Sequence, residues 1–214
     1  MSEPNAPSRL RLALARAALA IAAVYGIGIG EGNAAGETCG PEVVAVAESL
    51  DPLATGDLAA FQLAEKAQSV RDLAFSAPDG SRVSIADWSG RTVLLNLWAT
   101  WCAPCRHEMP ALDALQKEFG GPDFEVVAIN LDLGDSAKAM SFLDEINVKA
   151  LAFYFEKSPK LFNGLRRRGL AFGMPTTLLI DTKGCLLGHL AGPAEWASED
   201  AFALIKAAIA KPSG

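Results

Sequence analysis

Thr92-Val93-Leu94-Leu95-Asn96-Leu97-Trp98-Ala99-Thr100-Trp101-Cys102-Ala103-Pro104-Cys105-Arg106 is the stretch that decides how the rest of the chain is read. Its first seven residues are a nearly continuous apolar run, the pattern of a strand buried on both faces, and it ends directly at two cysteines separated by Ala103 and Pro104. Beyond them Met109, Leu112, Leu115 and Phe119 recur at helical spacing, with Pro110 expected to kink the helix near its first turns. Cys102 therefore falls at a strand-to-helix junction. There its sulfur faces the unpaired N–H groups and positive end of the helix dipole, which favour the thiolate. This makes Cys102 the expected nucleophile of a redox C-x-x-C and Cys105, one turn further in, the shielded thiol that resolves a mixed disulfide. Pro104 limits the backbone between them.

Other uses of two cysteines at this spacing fit less well. Zinc wants a second ligand pair, which His107 and His189 would complete only by coincidence, so no metal site is expected. Covalent haem attachment wants His directly after the second cysteine, where this chain has Arg106. A purely structural short bridge stays open for a protein outside the cytoplasm.

Outward from this centre, strands and helices alternate. On the N-terminal side, Leu73-Ala74-Phe75 and Val83-Ser84-Ile85 flank the turn former Pro78-Asp79-Gly80 and predict a hairpin. On the C-terminal side, strands are expected over 124–131, 151–155, 176–180 and 185–190. Helices are expected over 136–146 and 158–168, with a last one opened by Ser198-Glu199-Asp200 and closed by Pro212. The predicted fold class is α/β, with a central mixed sheet flanked by helices. Residues 40–66 read as a loosely amphipathic helical appendage broken at Pro52 and Gly56, so the main domain is placed at 70–214, after a 31–69 linker with a helical extension.

The 214 residues are half hydrophobic and 21% charged, which excludes a disordered chain. A net charge of −6, with no basic cluster beyond Arg166-Arg167-Arg168, argues against a nucleic-acid partner or a polybasic membrane-surface role. The first thirty residues differ in kind. Arg9, Arg11 and Arg16 precede an uncharged run from Ala17 to Gly30, which reads as an anchor over 12–30 behind a short cytoplasmic segment (1–11), or as a cleaved signal peptide. Either reading puts the remainder outside the cytoplasm. In that compartment four cysteines suggest bridges. With Cys102 and Cys105 taken as the redox pair, Cys39 and Cys185 are left either to bridge each other or to remain free thiols.

The segment Trp98-Ala99-Thr100-Trp101-Cys102-Ala103-Pro104-Cys105-Arg106, with Gly173-Met174-Pro175-Thr176 and Gly192-Pro193-Ala194-Glu195-Trp196 downstream, resembles the thioredoxin superfamily. Within it the resemblance is to the TlpA/ResA/CcmG-like branch of membrane-anchored bacterial thiol:disulfide interchange proteins. It implies a thioredoxin fold with an N-terminal hairpin and a strand-helix unit inserted within 132–156, an uncleaved anchor, and a structural Cys39–Cys185 disulfide. It makes Pro175 a cis-proline beside the thiols, with Met174, Trp101 and Pro104 around the site. Asn96 stands where many cytoplasmic thioredoxins carry a buried Asp that assists proton transfer. Asn cannot be that base, and Glu108 stands where related reductases place a glutamate near the thiols. Glu108 is thus expected either to tune the thiols or merely to complement the helix dipole.

The resemblance also implies an activity: an enzyme of the bacterial inner membrane, facing the periplasm, that reduces protein disulfides without a cofactor. The implied clients are copper-handling proteins, a Sco-type copper chaperone and the copper subunit of cytochrome oxidase, and the implied electron donor is a membrane transporter of the DsbD/CcdA type. Reduction of apocytochrome c is the runner-up. A non-cycling copper-binding module is the reading from a different class.

Overall fold

The computed structural model describes residues 39–210. The expected anchor over 12–30 and the expected helix stop at Pro212 lie outside these residues. Among the described residues no helix is long and apolar enough to cross a membrane.

Eight strands form one mixed sheet in the order β1-β8-β7-β4-β5-β6-β2-β3. At its centre lies β4 (Thr92–Trp98), parallel to β5 (Phe124–Asn130) and antiparallel to β7 (Thr176–Ile180). Every residue of β4 is buried, because helices cover both faces of the sheet. Leu94 and Trp98 point into one core cluster with Met109, Leu112 and Leu115 of α2 (Ala103–Phe119) and Leu204 and Ile205 of α5 (Glu199–Ala210). Val93, Leu95 and Leu97 point into the other, with Phe75, and Leu161 and Leu165 of α4 (Lys160–Arg167). That two-sided demand is why the run lacks the apolar–polar alternation of a half-exposed strand.

The outer strands finish the two edges. The expected hairpin is present as β2 (Ala74–Ser76) and β3 (Arg82–Ser84), and Gly80 at φ 84° supplies the positive φ its turn needs. Within 132–156 lie α3 (Ala137–Glu145) and β6 (Tyr154–Phe155), which joins β5 in parallel. β6 is shorter than the expected 151–155 because Leu151 and Phe153 pack against the first core cluster instead of pairing in the sheet. α2 is one continuous element from Ala103 to Phe119 with Pro110 inside it.

Residues 40–66 differ most from expectation. Only α1 (Glu42–Glu48) is α-helical, and Pro52 and Gly56 sit in short 3-10 turns. Nor is the segment an appendage. Val43, Leu50, Leu58 and Phe61 are buried in the first core cluster, and β1 (Gln62–Leu63) pairs antiparallel with β8 (Leu186–Ala191). These side chains are apolar enough to repay docking, so the described residues form one compact unit with no boundary at residue 70.

Candidate active site

Cys102 is the N-cap of α2, with extended backbone at φ −90° and ψ 99°. Its Sγ accepts a hydrogen bond from the Cys105 N–H at 3.3 Å, one of the helix donors that would otherwise lack a partner. The two cysteines form a disulfide with Cα atoms 5.3 Å apart. In this oxidised form Cys102 is 5% exposed and Cys105 fully buried, so the expected nucleophile is the more accessible residue of the two but is itself largely covered. Pro104 and Trp101 are exposed beside them.

The register between β4 and β7 sets Leu97 opposite Thr176, so the chain entering β7 lies at the same sheet end as the C-x-x-C. There the Met174–Pro175 peptide is cis. Met174 packs against the core cluster that includes both redox cysteines. The loop after β5 is fastened to this end as well, since the Thr100 N–H donates to both carboxylate oxygens of Asp132 at 3.2 Å.

Beneath the disulfide lies a buried polar group. Glu108 is one helical turn beyond Cys105 on α2 and only 4% exposed. Asn96 Nδ2, from the middle of β4, donates to Glu108 Oε1 at 2.7 Å, and the Ala194 N–H donates to Oε2 at 3.4 Å. The indole N–H of Trp196 approaches the same carboxyl without reaching hydrogen-bonding geometry. Burial pushes the Glu108 carboxyl up to about 7, and these donors oppose the rise without cancelling it. Glu108 therefore sits as a buried acid beyond the first turn of α2, not as a solvated one at the helix start. An open cavity of about 430 Å³ leads to it from solvent, lined by Asp57, Pro104, His107, Pro193 and Glu195. His107 is exposed, and His189 sits away on β8, so neither completes a site with the thiols. Among the described residues no group of three or more His, Cys, Asp or Glu could hold a metal ion.

Cys39 and Cys185 form the second disulfide, with Cα atoms 5.7 Å apart. It ties the start of the described chain to the entry of β8. Cys185 is buried, and the turn before it is held by Asp181, whose Oδ1 accepts the N–H groups of Lys183 and Cys185.

Two exposed apolar residues at the active end have no counterpart in the sequence reading. Phe172, three residues before Pro175, is 71% exposed, and Leu133, just after β5, is 70% exposed. With Trp101, at 70%, they stand at the ends of three adjacent strands. A large apolar residue flanked by loop formers, as in Asp132-Leu133-Gly134 and Phe172-Gly173, is the signal that could have found them.

A thiolate-stabilising helix end, a buried partner thiol and a cis-proline strand on one sheet define a thioredoxin-like thiol-disulfide oxidoreductase. The chain belongs to the Redoxin family, which it matches over residues 62–205. It is 34% identical over 125 residues to the thioredoxin-like protein YneN of Bacillus subtilis. That similarity covers 57% of this chain and 69% of YneN. It is 41% identical over 70 residues to the thiol-disulfide oxidoreductase ResA of Oceanobacillus iheyensis, covering 33% of this chain and 36% of that protein. Among solved structures, a Chlorobium tepidum protein assigned as the thiol:disulfide interchange protein DsbE superposes with a TM-score of 0.58 at 32% identity. That match covers 68% of this chain and 98% of the other.

Proposed function

We propose that the protein reduces disulfides in exported client proteins, taking the client's bond onto Cys102 and Cys105. The observation that supports this best is Cys102 at the N-terminus of α2 with Cys105 buried behind it and Glu108 one turn further on. In the reduced enzyme the Cys102 thiolate attacks one client sulfur, forming a mixed disulfide and releasing the other client sulfur as a thiolate. Cys105 then gives its proton to the Glu108 carboxylate and attacks Cys102 Sγ. The client leaves with both sulfurs reduced, and the enzyme is left with the Cys102–Cys105 disulfide. A carboxyl held near 7 suits that exchange, since it accepts a thiol proton and passes it to solvent through the adjoining cavity.

The clients we favour are copper-handling proteins outside the cytoplasm, a Sco-type chaperone and the copper subunit of cytochrome oxidase. Their cysteines must be reduced before they bind copper. Resemblance to the TlpA-type branch supports this choice, and a second disulfide elsewhere in the chain fits an oxidising compartment. Each turnover consumes a dithiol, supplied in this reading by a membrane donor of the DsbD/CcdA type to an enzyme anchored in the inner membrane and facing the periplasm.

The deciding experiment is the Cys102/Cys105 reduction potential, followed by client kinetics. A value near roughly −270 mV or lower is expected, whereas one near about −120 mV makes the protein an oxidant and removes the reading. The reduced enzyme is expected to reduce an oxidised Sco-type protein faster than an oxidised apocytochrome c peptide. The reverse ranking would move the protein to cytochrome c maturation. Cys102→Ser is expected to abolish turnover and Cys105→Ser to accumulate client mixed disulfides, seen as bands that dithiothreitol removes.

A further inference from the structure

The interior beneath the redox pair holds two polar atoms without a hydrogen-bond partner, the Trp196 indole nitrogen beside Glu108 and the Asn96 amide oxygen. Asn96 Oδ1 is buried and accepts no hydrogen bond, while Nδ2 of the same amide donates to Glu108 Oε1 at 2.7 Å and to Thr177 Oγ1 at 3.0 Å. Asn96 thus ties α2, through Glu108, to β7, whose first residue follows Pro175. It does so with donors only, an arrangement that suits a charged carboxylate.

A primary amide is nearly symmetric in shape, so half a turn about its last torsion exchanges oxygen and nitrogen. After that half turn Oδ1 faces Glu108 Oε1 and Thr177 Oγ1. The Thr177 hydroxyl can donate as readily as accept, and Glu108 can donate once it is protonated. Its proton belongs on Oε1, because Oε2 already accepts from the Ala194 N–H. The oxygen is the unpaired amide atom in the orientation seen, and in the reversed one it is the nitrogen with its two N–H groups, a cost that the two bonds then accepted by Oδ1 must offset. The orientation seen fits the carboxylate and the reversed one fits the carboxylic acid.

We propose that Asn96 is a positioning residue whose amide reverses when Glu108 gains or loses a proton, keeping α2 and the Pro175 strand joined in both states of the carboxyl. The step is the carboxylate plus one solvent proton giving the carboxylic acid, with no other bond made or broken. The groups facing Glu108 are accounted for on every element packed against it. Asn96 and, through it, Thr177 are neutral, as are the N–H groups of Ala194 and Trp196. Asp57, His107 and Glu195 line the cavity that leads to solvent. The idea rests on Glu108 serving as proton partner of Cys105 and adds how the fold tolerates that role.

The test is NMR on the full-length oxidised protein labelled with carbon-13 and nitrogen-15, in which no thiol titrates, following the Glu108 carboxyl carbon and the Asn96 side-chain amide across pH 5 to 9. Cross-peaks between the Asn96 Nδ2 protons and the Thr177 side chain are expected above the Glu108 midpoint and lost below it. In Glu108→Gln they should no longer change with pH. Because a reversing amide partners both the carboxylate and the acid, Asn96→Ala should move the Glu108 midpoint little, whereas with an amide fixed in the orientation seen only the carboxylate would lose a donor and the midpoint would rise by about one pH unit. Cross-peaks that persist on both sides of the midpoint, or such a rise in Asn96→Ala, would overturn the proposal. Should Asn96→Ala not fold, the wild-type and Glu108→Gln spectra decide alone. The proton-partner role fails separately, if Glu108→Gln leaves the pH dependence of client reduction unchanged.

Discussion

Glu108 shows how one buried side chain links stability to chemistry. Its carboxyl is pushed from an ordinary value of 4.5 to about 7, first by burial, so the folded protein holds this proton more tightly than the unfolded chain does. A raised folded pKa gives stability that is complete below 4.5 and is lost as pH rises through 7. Two and a half pH units correspond to about 3 kcal/mol as an order of magnitude. Glu108→Gln keeps the shape without the charge, so it is expected to remove that slope and to leave the protein about 3 kcal/mol more stable than wild type at pH 8. Denaturant melts of both proteins at pH 4.5 and 8 check this, and equal differences at the two pH values would show that Glu108 titrates normally. The same variant should slow client reduction, because Cys105 loses its proton acceptor; stability and activity therefore move in opposite directions at this residue.

At the scale of elements, Asp113 of α2 does for the inserted unit what Asn96 does for the site. Its Oδ1 accepts the N–H groups of Lys149 (2.9 Å), Ala150 (2.6 Å) and Leu151 (3.3 Å), and Lys117 pairs with Oδ2. Burial raises its carboxyl, but Lys117 and the backbone donors outweigh that and hold it below 3.8. Asp113→Ala leaves three donors without their acceptor, so a loss of about 2 kcal/mol or more is expected, with faster amide exchange at residues 149–151 and little change in the Cys102/Cys105 potential. In wild type this contribution is present above pH 3.8 and disappears as pH falls through the lowered folded pKa. Asp113 also shows where sequence reading stops. The β4 run, the Pro78-Asp79-Gly80 turn and the Cys102 helix start are legible because strand burial, turn chemistry and capping act over a few neighbouring residues. The backbone partners of Asp113 lie 36 to 38 residues away, Asn96 reaches Thr177 across 81, and the two residues of β1 are a strand only because β8 lies beside them. For the same reason Glu108 is legible through the resemblance alone. Nothing in the exposed Arg106-His107 beside it announces a buried acid.

Across the whole molecule, the Cys39–Cys185 disulfide joins the start of the described chain to the entry of β8. It spans 146 residues and clamps α1, the 3-10 turns and β1 onto β8, the far side of the sheet from the β2–β3 hairpin. Closing so long a loop removes conformational freedom mainly from the unfolded chain, worth about 5 kcal/mol in the chain-entropy model. The docked segment also helps to enclose the site, since Asp57 lines the cavity beside Glu108 and Leu50 and Leu58 share a core cluster with Cys102 and Cys105. The double variant Cys39→Ser/Cys185→Ser separates these two effects. Its unfolding free energy, measured with the redox pair oxidised, is expected to fall by up to about 5 kcal/mol, and residues 42–63 should become the first to exchange amide protons. If they keep their docking, burial of Val43, Leu50, Leu58 and Phe61 is sufficient by itself and the Glu108 midpoint stays near 7. If they come away, water reaches the carboxyl and the midpoint drops toward 4.5, so that one titration tells whether a bridge far from the thiols in sequence sets the proton affinity beneath them.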